Sequence, residues 1–464
     1  MSTQALEFLP IAVIGGGPVG LAAAAHLVAR NLPVKVYEAG SVIGANMRDW
    51  GHVRVFTPWR YCVDPAATTL LERQGWRLPP ADVFPTGGEI VANYLEPLAA
   101  TPELAGMIET GARVMAISRL GLDKVVSRGR EERPFVLSVS TADGSRRDLA
   151  RAVIDASGTW ASPNPLGASG LPADREAEFV DRIAYGIPDV MGRDRALYAG
   201  RTTLVVGAGH SAANALLDLA GLAESVPSTS AIWATRGTNL ARIYGGGDAD
   251  QLPARGELGA DTRELVESGR VRLVSGFAIL TLRKDGDQII VEGETAEGPQ
   301  TIGPVDRIIA ATGQRPELSL TRELRVDLDP WLESTKALGP LIDPNEHSCG
   351  SVPPHGHREL AHFEPGFYTV GIKSYGRAPT FLLLTGYEQV RSIAAALAGD
   401  MEAADNVQLV LPETGVCTTT FSVEGIAAAG CCGGPAPSKV DACCIADATA
   451  KDEGKAGCGC GRAA

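Results

Sequence analysis

"IAVIGGGPVGLAAAAHLVAR", residues 11–30, sets the reading of the whole chain. A short β-favouring apolar run meets a glycine cluster, and an alanine-rich, helix-forming run follows. Gly15, Gly17 and Gly20 make a G-x-G-x-x-G pattern. Glycines there let the chain turn tightly and bring backbone N–H groups at a helix N-terminus up to a pyrophosphate. "VKVYEAG" (34–40) supplies the next strand, and Glu38 ends it 18 residues after Gly20. A carboxylate at that place accepts hydrogen bonds from a ribose diol. The glycine pattern alone says little. Strand, turn, helix, strand and acid in this order specify a dinucleotide-binding unit.

The same order recurs at "RTTLVVGAGHSAANALLDLAG" (201–221), where Gly207, Gly209 and Ala212 form G-x-G-x-x-A. Its next strand, "SAIWATRG" (230–237), ends in Arg236 where the first unit has an acid. A guanidinium clamps a 2′-phosphate that a carboxylate would repel, so the second unit reads as an NADPH site; a solvated surface arginine is the alternative. His210 and Ser211 sit in the second turn, within reach of phosphate. Two such units in one chain point to electron transfer between a bound flavin, FAD, and a diffusing nicotinamide. The expected fold is α/β, with two Rossmann-like domains, the NADPH domain inserted in the FAD domain, and a Cys-rich C-terminal tail.

Composition narrows the partners. With 464 residues and 45% apolar content, the chain can build several cores. The formal net charge of −13 argues against nucleic acid and anionic membrane as main partners. The apolar stretch 8–28 is broken by Pro10, glycines and His26, so it reads as neither a signal peptide nor a membrane span, which needs about 20 apolar residues. The expected compartment is the cytoplasm.

The domain expectations are 1–165 and 306–413 for the two parts of the FAD domain, 166–305 for the NADPH domain and 414–464 for the tail. "RAVIDASGTW" (151–160) and "DRIIAATGQRPEL" (306–318) read as strands with small-residue returns. Thr86 caps a helix running to about Ala100. Residues 112–150 and 271–303 alternate as antiparallel strands, with a hairpin at "KDGDQ". Residues 366–399 give a strand, a loop and a long helix.

At this point the chain, from residue 8 to about 400, resembles the two-dinucleotide-binding flavoproteins. The resemblance implies that Gly15, Gly17, Pro18, Val19, Gly20, Glu38, Ala39, Trp50, Arg54, Ser157, Gly158 and Gly371 meet FAD. It also implies that Gly207, Gly209, His210, Ser211, Arg236, Thr312 and Gly313 meet NADPH. A disulfide reductase of this group needs C-x-x-C or C-x-x-x-x-C beside its flavin, and neither occurs before the tail. Oxygen chemistry through a C4a-(hydro)peroxyflavin is the remaining expectation. It asks the protein for dryness and positioning rather than a strong acid or base.

A narrower resemblance lies in residues 46–67, 343–362 and 371–393. These blocks look like the flavin monooxygenases that accompany arsenic-resistance systems. That likeness implies oxidation of methylarsenite, arsenite or antimonite by NADPH and O₂ to the pentavalent form. A metal or metalloid reductase with a C-terminal thiol relay, and a non-enzymatic metalloid-binding protein, are the alternatives.

Two groups of side chains carry the remaining expectations. His347, Cys349, His355, His357 and His362 fall within 16 residues and read either as a metal site or as a hydrogen-bonded loop over the flavin. Cys349 and His52 are the candidates for meeting substrate. Trp50 and Trp59 read equally as flavin-pocket walls or as core. Cys62 is a poor candidate for a required ligand. Cys431, Cys432, Cys443, Cys444, Cys458 and Cys460 are spaced CC, CC and C-x-C, unlike structural zinc pairs. They read either as a low-complexity tail or as thiols that trap As(III) or Sb(III), since soft ions favour sulfur.

Overall fold

A computed structural model describes residues 6–245, 253–345, 352, 354–379 and 381–409. All of these lie in one compact unit, Met1–Cys417. Cys349, His347 and the six tail cysteines fall outside the described residues.

The chain opens with β1 (Ile11–Ile14), α1 (Pro18–Val28) and β2 (Val34–Tyr37). After α2 (Pro65–Glu72) come the short β3 (Ile108–Glu109) and an antiparallel excursion of β4 (Arg113–Arg119), β5 (Phe135–Thr141) and β6 (Gly144–Ala150). β7 (Ala152–Asp155) then returns beside β1. The second unit repeats this plan. β8 (Ile183–Tyr185) precedes β9 (Thr202–Val206), α3 (His210–Ser225) and β10 (Ser230–Thr235). α4 (Pro253–Glu267) and β11 (Val271–Ser275) lead to a second antiparallel excursion, β12 (Ala278–Asp285), β13 (Gln288–Thr295) and β14 (Gly298–Val305). β15 (Arg307–Ala310) returns beside β9. β16 (Phe367–Thr369) and α5 (Leu383–Leu397) close the described chain.

Two parallel sheets result, ordered β16-β7-β1-β2-β3 and β11-β10-β9-β15-β8. Their central strands are largely apolar because helices and excursions cover both faces. β1, β7, Leu204–Val206 of β9 and Ile308–Ala310 of β15 are buried. In α1, Ala22 to Ala25 are fully buried, and these small side chains let the helix seat closely against the sheet and α5. The excursions behave differently: β5 alternates, burying Phe135, Leu137 and Val139 on one face.

Two expectations need correction. Arg307–Ala310 pairs with Thr203–Val206, so the inserted unit does not stop at 305 but keeps its return strand. The strand pairs with β9 because its apolar side chains complete the second core. Likewise Val271–Ser275 is a parallel strand beside β10, and the antiparallel strands begin only at Ala278. The hairpin expected at "KDGDQ" is present, with Gly286 at φ +57° between β12 and β13.

The helix expected after Thr86 is present with an added feature. Thr86 and Glu89 form a reciprocal capping box, and helical backbone runs through Gly87–Ile90, Val91–Leu95 and Glu96–Ala99. The middle segment is π-helical. Pro97 has no N–H for the carbonyl four residues earlier, Asn93. The Trp76 indole N–H takes that carbonyl at 2.7 Å.

Candidate functional site

Register builds both cradles. β1 pairs in step with β2 and β7, so Ile14 stands between Tyr37 and Asp155. The residues that follow, Gly15, Glu38 and Ala156, therefore share one sheet edge. β16 pairs Thr369 with Asp155 and brings Val370 and Gly371 to the same edge. In the second sheet Val206 stands between Ala234 and Ala310, and Ala310 pairs Tyr185. Gly207, Thr235, Ala311 and Gly186 follow at that edge.

Two glycines are required by close approach. A Cβ on Gly15, at φ +108°, would lie 2.5 Å from the Ala156 carbonyl oxygen. A Cβ on Gly207, at φ +134°, would collide with the Ala311 carbonyl oxygen. Each return thus packs directly on its glycine turn. Gly17 and Gly209, the residues before α1 and α3, face open space instead. That space, in front of a helix N-terminus, suits a pyrophosphate. Pro18 opens α1 at a position where its missing N–H costs nothing.

Glu38 fits a ribose. Its two oxygens accept from the Gly16 and Gly40 amides, each at 2.6 Å, which fixes the carboxylate and leaves lone pairs for a diol. Val19 packs under Gly371, which is at φ +67°, and Gly371 N–H donates to Gln389 Oε1 at 2.7 Å. Gln389 Nε2 in turn donates to Ser374 Oγ at 2.9 Å and lies 2.9 Å from His355 Nε2. Ser157 is held by Asp155, with Oγ donating at 2.6 Å. Lys373, 3% exposed, pairs with the fully buried Asp155 at 2.7 Å and also donates to Ser157 Oγ at 3.0 Å. The pair ties the β7 return to the turn after β16.

Other expected residues fall as follows. Ala39 is part-buried next to Glu38. Trp50 packs on Gly87 and stands 6.5 Å from the Trp160 ring, while Trp59 is core. Exposed Arg54 donates to the Phe84 carbonyl and pairs with Thr86. Gly158 adopts φ +71° in the return. Arg236 is exposed at the end of β10, and one guanidinium nitrogen donates to the Ala168 carbonyl at 2.8 Å. That single anchor leaves other donors on the fork.

The junction of the units was not expected in detail. The two returns pair with each other. Asn164 N–H donates to the Gly313 carbonyl at 2.9 Å, and Thr312 Oγ1 donates to the Asn164 carbonyl at 2.6 Å. Thr159 bonds Gln314 at 3.0 Å. The His210 ring lies 5.3 Å from the Phe56 ring at a 54° tilt, linking α3 to the first unit. His52 Nε2 is buried with no hydrogen-bond partner among the described residues. It acts electrostatically on Asp194 and on Asp218, whose carboxyl is pushed up to about 6 by burial, with His52 opposing. Ser211 and Gly313 line a cavity of about 70 Å³ with Trp160, Tyr185, Gly186 and Gln314.

The described histidines of the 347–362 loop take different partners. His355 meets Gln389, His357 lies 2.8 Å from Asp405, and His362 meets Asp327 and Thr369. Among the described residues, no group of three or more His, Cys, Asp or Glu side chains is arranged to hold a metal.

The described residues carry the expected α/β fold with Rossmann-like units, and the Cys-rich tail lies outside them. Residues 13–73 match the family of NAD(P)-binding Rossmann-like domains. A ferredoxin–NADP reductase of Streptococcus equi subsp. zooepidemicus is 28% identical over 218 residues, 47% of this chain and 52% of that relative. The aligned region thus spans about half the length of that relative. Bacillithiol disulfide reductase Bdr (YpdA) of Bacillus cereus superposes with TM-score 0.63 at 17% identity, over 84% of this chain and 99% of its own. The chain therefore shares its fold with that reductase. DfoA of Erwinia amylovora, a cadaverine monooxygenase bound to FAD, superposes with TM-score 0.60 at 13% identity, over 88% of this chain and 98% of its own. Both reductases and monooxygenases therefore share this architecture. Among the described residues, no helix is long and apolar enough to cross a membrane.

Sequence reading found the glycine turns and Glu38 because their signals are local. It missed Asp155, Lys373, Gln389 and Asn164. A lone acid ending the apolar run "AVID" (152–155) was the available signal for the first.

Proposed function

We propose that the protein is a cytoplasmic monooxygenase that uses FAD and NADPH to oxidise a trivalent metalloid to its pentavalent form with O₂. The candidate substrates are methylarsenite, arsenite and antimonite. The observation that carries the reading is the pair of like-built cradles, one ending in Glu38 and the other in Arg236. When bound, FAD provides the hydride acceptor and the oxygen-reactive ring, and NADPH provides the hydride. The chain's own part is to bind, orient and keep dry. The first glycine turn and α1 take the FAD pyrophosphate, and Glu38 orients its ribose. The second turn and α3 take NADPH, with the Arg236 fork meeting the 2′-phosphate. Trp50, Phe56 and Trp160, all part-buried, line the junction.

Against a relay through Cys62 stands its burial. Cys62 is the one cysteine among the described residues; it is fully buried, and burial pushes its thiol up to about 11. The metalloid class rests on the resemblance of residues 46–67, 343–362 and 371–393, and on six terminal cysteines able to collect a soft ion. A trivalent arsenical has a lone pair to give to an electrophilic oxygen.

The test uses purified full-length protein loaded with FAD. NADPH oxidation under air is expected to rise with at least one of the three metalloids and to yield a pentavalent product. No stimulation by any of them would sink the substrate assignment. A reductase is the second reading, favoured by the similarity to the streptococcal ferredoxin–NADP reductase and the Bacillus cereus disulfide reductase. It requires metalloid- or disulfide-dependent NADPH turnover without O₂, so an anaerobic assay separates the two.

A further inference from the structure

Trp160 belongs to the return after β7, yet its side chain spans both units. On one side its indole N–H donates to Asp49 Oδ2 at 2.9 Å, and its ring lies 6.5 Å from Trp50 at a 52° tilt. On the other side it rests on Gly186, the residue after β8. A Cβ on Gly186 would lie 2.9 Å from the indole, and φ is +97° there, so glycine is what makes the seat. The indole also walls the cavity that Ser211, Gly313 and Gln314 line at the mouth of the second cradle.

Size shows what this wall does. The cavity measures about 70 Å³. A cavity that accepts a six-membered aromatic ring such as benzene measures about 150 Å³. While the indole stays on Gly186 it narrows this partly open cleft, so a nicotinamide ring entering between the returns meets Trp160. The hold on the indole is light, however. Asp49 is exposed, so water can replace the bond as the ring leaves, and Trp160 itself is only part-buried.

We infer that Trp160 is a gate on the nicotinamide seat, latched by Asp49, and that it must swing away before the nicotinamide ring of NADPH reaches the junction. This rests on the reading of the second cradle as an NADPH site. The adenosine end of the nucleotide binds beyond the gate, at Arg236 and the α3 turn. Closing the gate therefore lowers apparent affinity for the whole nucleotide but not for its adenosine half, because only a fraction of molecules is open at any moment.

The test compares NADP⁺ with adenosine 2′,5′-bisphosphate, which lacks the nicotinamide, by titration calorimetry on the FAD-loaded protein. Trp160→Ala is expected to bind NADP⁺ about fivefold more tightly, and Asp49→Ala about two- to threefold more tightly. Adenosine 2′,5′-bisphosphate is expected to bind all three proteins equally. Asp49→Ala changes an exposed side chain and tests the latch even if Trp160→Ala folds poorly. The gate is overturned if NADP⁺ affinity is unchanged or weaker in Asp49→Ala, or if both ligands shift together. Failure of the unaltered protein to bind either ligand is a different result, and it overturns the NADPH reading itself.

Discussion

At Gly207 the backbone stands at φ +134°, and a methyl group there would strike the Ala311 carbonyl oxygen. The return cannot retreat cheaply, because Ala310 is locked in register with Val206. Gly207→Ala is expected to raise the KM for NADPH at least about tenfold while FAD content stays at the unaltered level. Loss of FAD instead would show that the two cradles are not independent. Arg236 makes one anchoring bond and keeps the rest of its fork. Arg236→Gln is expected to raise the KM for NADPH by about 10- to 100-fold, the worth of a charge-assisted hydrogen bond, with little change for NADH. Equal losses with both nucleotides would remove the 2′-phosphate assignment.

At the scale of elements, the decisive link is the Lys373–Asp155 pair, which joins the end of β7 to the turn after β16 across 218 residues. Both groups are almost wholly buried. Lys373→Met leaves an unpaired buried carboxylate and is expected to cost about 3–5 kcal/mol, read as a lower urea midpoint of the FAD-loaded protein. Adding Asp155→Asn should recover part of that loss; a midpoint unmoved by either change would show the pair to be inert. The strand, turn and helix of each cradle were legible because their determinants lie within 30 residues of one another. This ion pair was not legible. Lys373 in "GIKSYG" reads as an ordinary loop lysine until β16 docks beside β7. The same holds for β15, whose apolar run fits either sheet and is assigned only by pairing with β9.

Over the whole molecule, buried titratable groups on both units contribute to the pH dependence of stability. Burial pushes the His362 ring down from 6.5 to about 4, so its neutral form is favoured in the folded state. Its contribution is full above about 6.5 and is lost as pH falls toward about 4. Asp218 works in the opposite sense. Burial raises its carboxyl from 3.8 to about 6, so its contribution is present below about 3.8 and lost as pH rises through about 6. Asp218→Asn is therefore expected to stabilise the protein by about 1–2 kcal/mol above neutrality and not near pH 4. His362→Asn should flatten the decline between about 6.5 and 4. Urea midpoints across this range check both, and parallel pH profiles for all three proteins would refute the assignment.

The sequence by itself determined that there are two glycine turns between strand and helix, where each begins, and that one unit's next strand ends in an acid and the other's in an arginine. Those features depend on backbone freedom at glycine and on charge at a strand end, and both are written in neighbouring residues. Only the tertiary structure decided that the returns pair through Asn164, that Lys373 neutralises Asp155, and that Trp160 seats on Gly186. Each of those contacts joins segments that meet only after the strands have found their register. Burial of the apolar sheet faces fixes that register, and no short stretch of sequence contains it.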